Sequence, residues 1–196
     1  MDGGSTLGRD AGEMGAGLWL AQEILTDLND LQPSAWILWQ VIDSHICRDG
    51  YLGRKDSGMV NTDGGYWGTA VADHDRNRLI LTMKYYVFGQ FTRYIRPGSR
   101  VFAVGGNAVA AEDPQQQRLA VVVMNSGDGE KTVRVDLSAF GETISPEASV
   151  RAIRTSGGIA DGEHWAELPA LHMEGGGFSA VLAPYSVTTF LIPEAF

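Results

Sequence analysis

Polar side chains able to contact a ligand follow one short apolar stretch of the sequence, residues 33–43. Gln40 and Asp43 lie at the end of this stretch, and His45 follows two residues later. A strand that runs from an apolar body into a polar tip is how α/β enzymes present side chains to a site. These three residues are therefore candidates to contact a ligand.

A Gly-rich segment, residues 44–74, continues from this tip and carries Tyr66 and Trp67 among polar neighbours. A connection of this length usually has a function of its own. Flat rings among polar groups are typical of a loop that faces carbohydrate, because the rings stack on sugar faces and the polar groups bind hydroxyls. The alternative is a loop whose aromatic residues only anchor it to the scaffold.

Other catalytic chemistries find little support. The sequence has no P-loop, no GxGxxG after a strand, no GxSxG and no CxxC pair. His45 and His74 flank the long segment and can meet in space, but two imidazoles without a third ligand do not predict a metal site. Cys47 is the only cysteine, and no His partner motif marks it as a nucleophile. We therefore predict neither a metal nor a cofactor.

Composition narrows the class of partner. The chain has 196 residues, 44% of them hydrophobic, and a formal net charge of −9. An acidic chain without a basic block argues against nucleic acid and anionic membranes. No apolar run reaches the roughly 18 residues of a membrane span, and no signal peptide begins the sequence.

Periodicity predicts an α/β part followed by an all-β part. Apolar spacings of three and four predict helices over residues 14–31 and 75–94, the second capped by Asp75 or Asn77. The apolar residues 35–42 predict a strand buried on both faces. Gly89 inside the second helix suggests close approach of a neighbouring element, such as a strand that carries a bulky Trp.

After Gly98 the pattern changes to short alternating runs, for example Val187, Thr189 and Leu191. Five or six antiparallel strands in the remaining residues predict a β-sandwich. We therefore expect a boundary near Pro97–Gly98, with residues 1–97 as the α/β portion and 98–196 as the β-sandwich domain.

Three stretches resemble successive landmarks of family 30 glycoside hydrolases: LQPSAWILWQVID, KYYVFGQFTRYIRPGS and APYSVTTFLI. Their order and spacing match across roughly residues 14–194. The sequence looks most like the endo-β-1,6-galactanase-like branch, with glucosylceramidases as more distant relatives. The resemblance implies a (β/α)₈ TIM barrel that carries an antiparallel β-sandwich, of which this chain is a C-terminal fragment holding the last helix–strand–helix and the sandwich.

The same resemblance implies a retaining mechanism with two Glu residues, both upstream of the first helix here. Glu13 and Glu23 are the only early Glu residues, and neither fits a strand tip. We thus expect no catalytic residue on this chain, and no activity of the chain alone. Trp39 and Gln40 match the end of the eighth barrel strand, where the family places an aromatic floor and a polar contact for the sugar. A plain core role for Trp39 is the alternative.

The expected ligand is a β-linked oligo- or polysaccharide, and the resemblance suggests a secreted enzyme. Two barrel units leave sheet edges unpaired, so the chain is expected to associate with itself or with an N-terminal barrel portion. The competing function is a non-catalytic carbohydrate-binding or structural β-sandwich module.

Overall fold

A computed structural model describes residues 11–47 and 68–193 of the chain. Two helices, α1 (Met14–Thr26) and α2 (Met83–Thr92), accompany three strands in the first half: β1 (Ile42–Ile46), β2 (Ala70–Asp73) and β3 (Arg78–Leu81). The second half holds eight strands: β4 (Arg100–Ala103), β5 (Ala108–Asp113), β6 (Arg118–Asn125), β7 (Lys131–Asp136), β8 (Ser149–Ser156), β9 (Glu163–His172), β10 (Gly177–Leu182) and β11 (Ser186–Pro193).

The first helix agrees closely with its apolar pattern. α1 buries Leu18, Ile24 and Leu25, and one π-helical turn, Asp27–Leu31, extends it to the predicted end. Gln32 then takes a left-handed conformation with φ of 47°, and Pro33 cannot continue the helix.

The strand predicted over residues 35–42 is wrong in place and in burial. The ladder begins at Ile42, and residues 35–41 form an irregular segment ahead of it, with bends at Trp39 and Val41. Ile37 is 86% exposed, whereas Trp36 is half-buried. A buried strand needs neighbouring strands that pair with its backbone. Here backbone pairing starts only at Val41, whose carbonyl accepts hydrogen bonds from the N–H groups of Thr69 and Ala70.

The long loop and the second helix also need correction. Residues 44–74 contain the end of β1 and all of β2, which pair in parallel. Residues 75–94 begin with a turn, because β2 and β3 form an antiparallel hairpin around Asn77, whose φ is 48°. Asn tolerates this left-handed conformation and so favours a turn over a helix cap. Thr82 is the residue that precedes α2.

The second half is antiparallel throughout. Six strands form one sheet in the order β4-β5-β6-β11-β8-β9, and β10 pairs with β7 in a second sheet. Eight strands exceed the five or six that the sequence predicts. Two helices with mostly antiparallel sheets fit a partial barrel joined to a β domain.

The six-stranded sheet is covered on both faces. On β6, Val121 and Val123 join the core shared with β7 and β10, whereas Val122 and Met124 join the core shared with α1 and α2. The half-buried alternation predicted for β11 is therefore wrong, since helices cover its second face. Because the helices share a core with this sheet, the division into residues 1–97 and 98–196 stays a prediction.

Close approach of α2 to β9 explains the glycine within that helix. Trp165 of β9 donates its indole N–H to the Tyr86 carbonyl at 2.6 Å. A Cβ on Gly89 would lie 2.3 Å from the Trp165 ring. The close approach inferred from Gly89 is confirmed, and its partner is a Trp on a strand.

Gly89→Ala should destabilise the chain by about 1–3 kcal/mol, because the added methyl overlaps an indole that its hydrogen bond holds in place. Gly15→Ala is the matched control: Gly15 is exposed in α1, and a Cβ added there would meet nothing within 4 Å, so this variant should gain up to about 1 kcal/mol from helix propensity. Urea unfolding of both variants measures the difference. Equal stability of the two variants would contradict the packing argument.

Candidate functional site

The segment before β1, residues 35–41, has one Trp side chain that is anchored and one that is exposed. Trp36 donates its indole N–H to Asp27 Oδ2 at 2.8 Å, and its ring lies 5.9 Å from that of Phe88. Trp39 lies three residues later, where the chain bends, and is 77% exposed. The anchored Trp36 thus leaves the Trp39 ring accessible to a ligand.

Trp39 is therefore not the plain core residue that the alternative supposes. Gln40 is half-buried and follows Trp39 through a cis peptide bond. A broad exposed ring beside an amide is the combination that binds a sugar, since the ring stacks and the amide pairs with hydroxyls. A contact of either residue with substrate stays a prediction.

His45 and His74 meet as the sequence allows. His45 Nδ1 lies 2.9 Å from His74 Nε2, and the two rings stack at a centroid distance of 5.2 Å. One nitrogen donates and the other accepts, so this hydrogen bond ties β1 to the residue after β2. The described residues contain no group of three His, Cys, Asp or Glu side chains placed to hold a metal ion.

The side chains of the remaining predicted contacts lie outside the part of the chain that the structure describes. Asp43 lies within β1, and its side chain is outside the described part. Tyr66 and Trp67 also lie outside the described residues. The structure therefore describes Trp39, Gln40 and His45 among the predicted site residues.

A buried carboxylate that the sequence patterns did not reveal lies next to His74. Asp73 is buried and accepts hydrogen bonds from Arg78 Nε at 3.0 Å and Arg76 Nη1 at 3.2 Å. Burial opposes ionisation, but these hydrogen bonds outweigh it, so the pKa of Asp73 lies below its usual value. The close spacing of Asp73, Arg76 and Arg78 could have indicated this ion pair from the sequence. The helix predicted over residues 75–94 left no turn at Asn77 that would bring the three side chains together.

The two early Glu residues, Glu13 and Glu23, lie at the start and in the middle of the first helix region. Glu13 Oε2 accepts from the Ile159 backbone N–H at 3.1 Å, so it joins the start of α1 to the loop between β8 and β9. Glu23 is exposed on α1.

No helix in the described part of the chain combines the length and apolarity needed to cross a bilayer.

The fold is similar to that of two solved family 30 xylanases. A GH30 endoxylanase from Clostridium papyrosolvens C71 matches with a TM-score of 0.59 at 18% identity, over 96% of this chain and 40% of that one. The catalytic domain of GH30 xylanase C from Talaromyces cellulolyticus matches with a TM-score of 0.60 at 18% identity, over 90% of this chain and 34% of that one. The fold is that of the C-terminal part of family 30 enzymes.

A curated sequence relative narrows this class. An endo-β-1,6-galactanase from Hypocrea rufa is 29% identical over 177 residues, which are 89% of this chain and 32% of that protein. The chain is a homologue of this galactanase, and the resemblance to the galactanase-like branch of family 30 is confirmed. The chain spans 32% of the length of this relative. No family model matches the chain.

Asp73→Asn should change how stability depends on pH. Because the pKa of Asp73 is lowered on folding, its ionisation stabilises the fold above the ordinary Asp pKa of about 3.9, and this contribution is lost as the pH falls further. The wild-type chain should therefore exceed the variant in free energy of unfolding at pH 6, and the gap should narrow below about pH 4.

Urea unfolding from pH 2.5 to 7 measures this gap. Asp128→Asn, in the exposed turn after β6, is the matched control and should follow the wild-type profile. A constant gap between wild type and Asp73→Asn at every pH would show that the carboxylate charge is not what stabilises the hairpin.

Proposed function

We propose that this chain forms one wall of the glycan-binding cleft of a retaining glycoside hydrolase that acts on a β-linked glycan, in particular a β-1,6-galactan. Trp39 is the aromatic platform of this wall, and Gln40 is its polar contact beside the cleaved bond. Further contacts come from the predicted loop residues, Asp43, His45, Tyr66 and Trp67.

The exposed Trp39 ring is the observation that carries this proposal. An exposed Trp costs solvation free energy unless a partner covers it, and at 77% exposure the ring offers most of its area. The Asp27–Trp36 hydrogen bond and the Trp36–Phe88 contact hold the segment against the helices. An anchored backbone reduces the conformational entropy that is lost when a sugar stacks on the ring.

The substrate class comes from the sequence relationship. The relative matched over most of this chain is named an endo-β-1,6-galactanase, and Trp39 and Gln40 lie inside the motif LQPSAWILWQVID. Structural likeness to xylanases at 18% identity supports the fold rather than a xylan substrate.

Hydrolysis requires groups that we do not assign to this chain. A retaining mechanism places two carboxyl groups about 5–5.5 Å apart across the scissile bond. Glu13 is engaged with the Ile159 backbone, and Glu23 lies on a solvent-exposed helix face. We therefore propose that this chain binds glycan and orients it, and that both catalytic carboxylates come from another polypeptide segment.

Trp39→Ala should weaken binding of β-1,6-galactotriose by about tenfold, because it removes the stacking ring. Tyr185→Ala is the matched control: Tyr185 is an aromatic residue in the turn between β10 and β11, 48% exposed. Titration followed by protein NMR gives both dissociation constants. Binding that survives Trp39→Ala and is lost in Tyr185→Ala would favour the carbohydrate-binding module instead. Trp165 is unsuitable as a control, since its ring packs against Gly89.

The isolated chain should release no reducing sugar from β-1,6-galactan while it still binds the trisaccharide. Wild type and Trp39→Ala should give the same baseline in a reducing-end assay. Turnover at an enzyme-like rate, abolished in a Glu13→Gln or Glu23→Gln variant, would overturn the proposal that the carboxylates lie elsewhere.

The exposed apolar row of the same segment suggests a protein partner. Ile37, Trp39 and Val41 are 86%, 77% and 53% exposed. A segment with unpaired backbone and exposed apolar side chains associates readily with other chains. We propose that barrel strands of another polypeptide, or a second copy of this chain, cover Ile37 and Val41 and leave the Trp39 ring open to glycan.

Ile37→Lys should reduce self-association, because it places a charge within that row. Sedimentation velocity at increasing concentration should show association of the wild type and a shift of the variant toward monomer. Val181→Lys, at a 54% exposed position on β10, is the control. A wild type that remains monomeric at every concentration would contradict self-association.

A further inference from the structure

A basic cavity lies at the end of α2, beside the turn that joins β5 to β6. Its volume is about 680 Å³, and the polar residues that line it are Arg93, Arg96, Arg118, Asp113, Gln115 and Gln116. Three guanidinium groups face one carboxylate here, although the chain as a whole carries a net charge of −9. The cavity therefore has a local charge opposite to that of the molecule.

Aromatic rings hold Arg93 in place. Its Cζ lies 4.3 Å from the Trp165 ring centroid and 5.3 Å from that of Tyr94. A cation–π contact orients a guanidinium without using its N–H donors. Within residues 68–193, no side-chain hydrogen bond engages the Arg93 guanidinium, so its donors remain available.

Arg118 is similarly fixed and similarly unsatisfied. Its side chain is only 22% exposed, and its Cζ lies 5.7 Å from the Tyr94 ring centroid. Nη2 approaches Asp113 Oδ2 at 3.8 Å, which is too long for a hydrogen bond. Its Nε is buried without an acceptor among the described residues. A guanidinium has five N–H donors, and leaving them unpaired in a half-buried position is unfavourable.

The other charged groups do not offset this excess. Asp113 Oδ1 accepts from the backbone N–H groups of Gln115 and Gln116 at 3.1 Å. Arg96 uses Nη1 for the Thr92 carbonyl at 2.7 Å, which satisfies the last turn of α2. Arg93 and Arg118 are thus the two cations of this cavity whose donors lack acceptors within the described ranges, and both approach the same Tyr94 ring.

We propose that this cavity binds an anionic oxygen group, a carboxylate or a sulfate, between Arg93 and Arg118. Two oxygens of such a group match the planar donor pairs of a guanidinium. The exposed amides of Gln115 and Gln116 lie at the rim, where they can pair with hydroxyls attached to the same ligand. The source of the anion is either an acidic saccharide or a free inorganic ion. The inference does not depend on the proposed glycosidase function.

Titration with D-glucuronate, D-glucose and inorganic sulfate tests this proposal, with the Trp165 indole N–H signal in NMR as the readout. Glucuronate or sulfate should shift the signal to saturation, whereas glucose should not. Arg118→Gln and Arg93→Gln should each weaken anion binding about tenfold, as expected for the loss of a charge-assisted pair. Tighter binding of glucuronate than of sulfate would identify an acidic saccharide as the ligand. Tighter binding of sulfate would identify a free inorganic ion.

Arg100→Gln is the control, and it should bind the anion as the wild type does. Arg100 is an exposed cation on β4 that pairs loosely with Glu112 at 3.8 Å. Asp113→Asn should tighten binding, since it removes the one opposing charge while its amide oxygen can still accept from the turn. An unshifted signal with both anions, or equal affinity in Arg118→Gln, Arg93→Gln and the wild type, would overturn the proposal.

Discussion

The docking of α2 onto the six-stranded sheet depends on one buried amide. Gln90 is fully buried, donates from Nε2 to Thr155 Oγ1 at 2.8 Å, and accepts at Oε1 from Thr189 Oγ1 at 2.6 Å. Buried polar groups are tolerated only when they are paired, and both partners lie on neighbouring strands, β8 and β11. The amide therefore fixes α2 in position along and across the sheet.

Other contacts of the helix layer become possible once this position is set. Trp165 can lie against Gly89 only at this register of helix and strand, and the helix then presents Phe88 to the Trp36 ring. The exposed Trp39 is thus connected to the sheet through two layers of packing. The same helix ends beside β5 and β6, so Arg93 and Arg118 approach one aromatic ring from different elements.

Local patterns in the sequence predicted what depends on near neighbours. The α1 periodicity and the switch to short strands after Gly98 are features of this kind, whereas the close approach at Gly89 left a local mark, a glycine within a helix, of a contact with the distant Trp165. The strand before Asp43 failed for a different reason, because its apolar run indicated burial that only neighbouring strands could supply. The helix predicted to begin at Asp75–Asn77 failed because turns and helix caps favour the same residue types. The pairing of β3 with β2 decides between them here.

Site prediction followed the same division. The family motif led to the Trp39 prediction, and the structure leaves its ring exposed. No sequence spacing joins Arg118 to Arg93. The close spacing of Asp73 and its two Arg partners is visible in the sequence, but the helix predicted over residues 75–94 hid the turn that brings them together. Burial on both faces of β11 likewise could not be read from alternation, since Thr189 is polar and still fully buried. Its hydroxyl is matched by a helix residue 99 positions away in sequence.

The π-helical turn at the end of α1 has a consequence for how the orientation of Trp39 can change. Asp27 lies within that turn and accepts the hydrogen bond of the Trp36 indole N–H. This bond fixes the position of residues 35–41 relative to the helix. A π turn differs from an α turn by one residue, so inserting or deleting a residue there rotates the segment that follows. Selection acting on a helix terminus can thereby re-aim the proposed aromatic platform without altering Trp39 or Gln40.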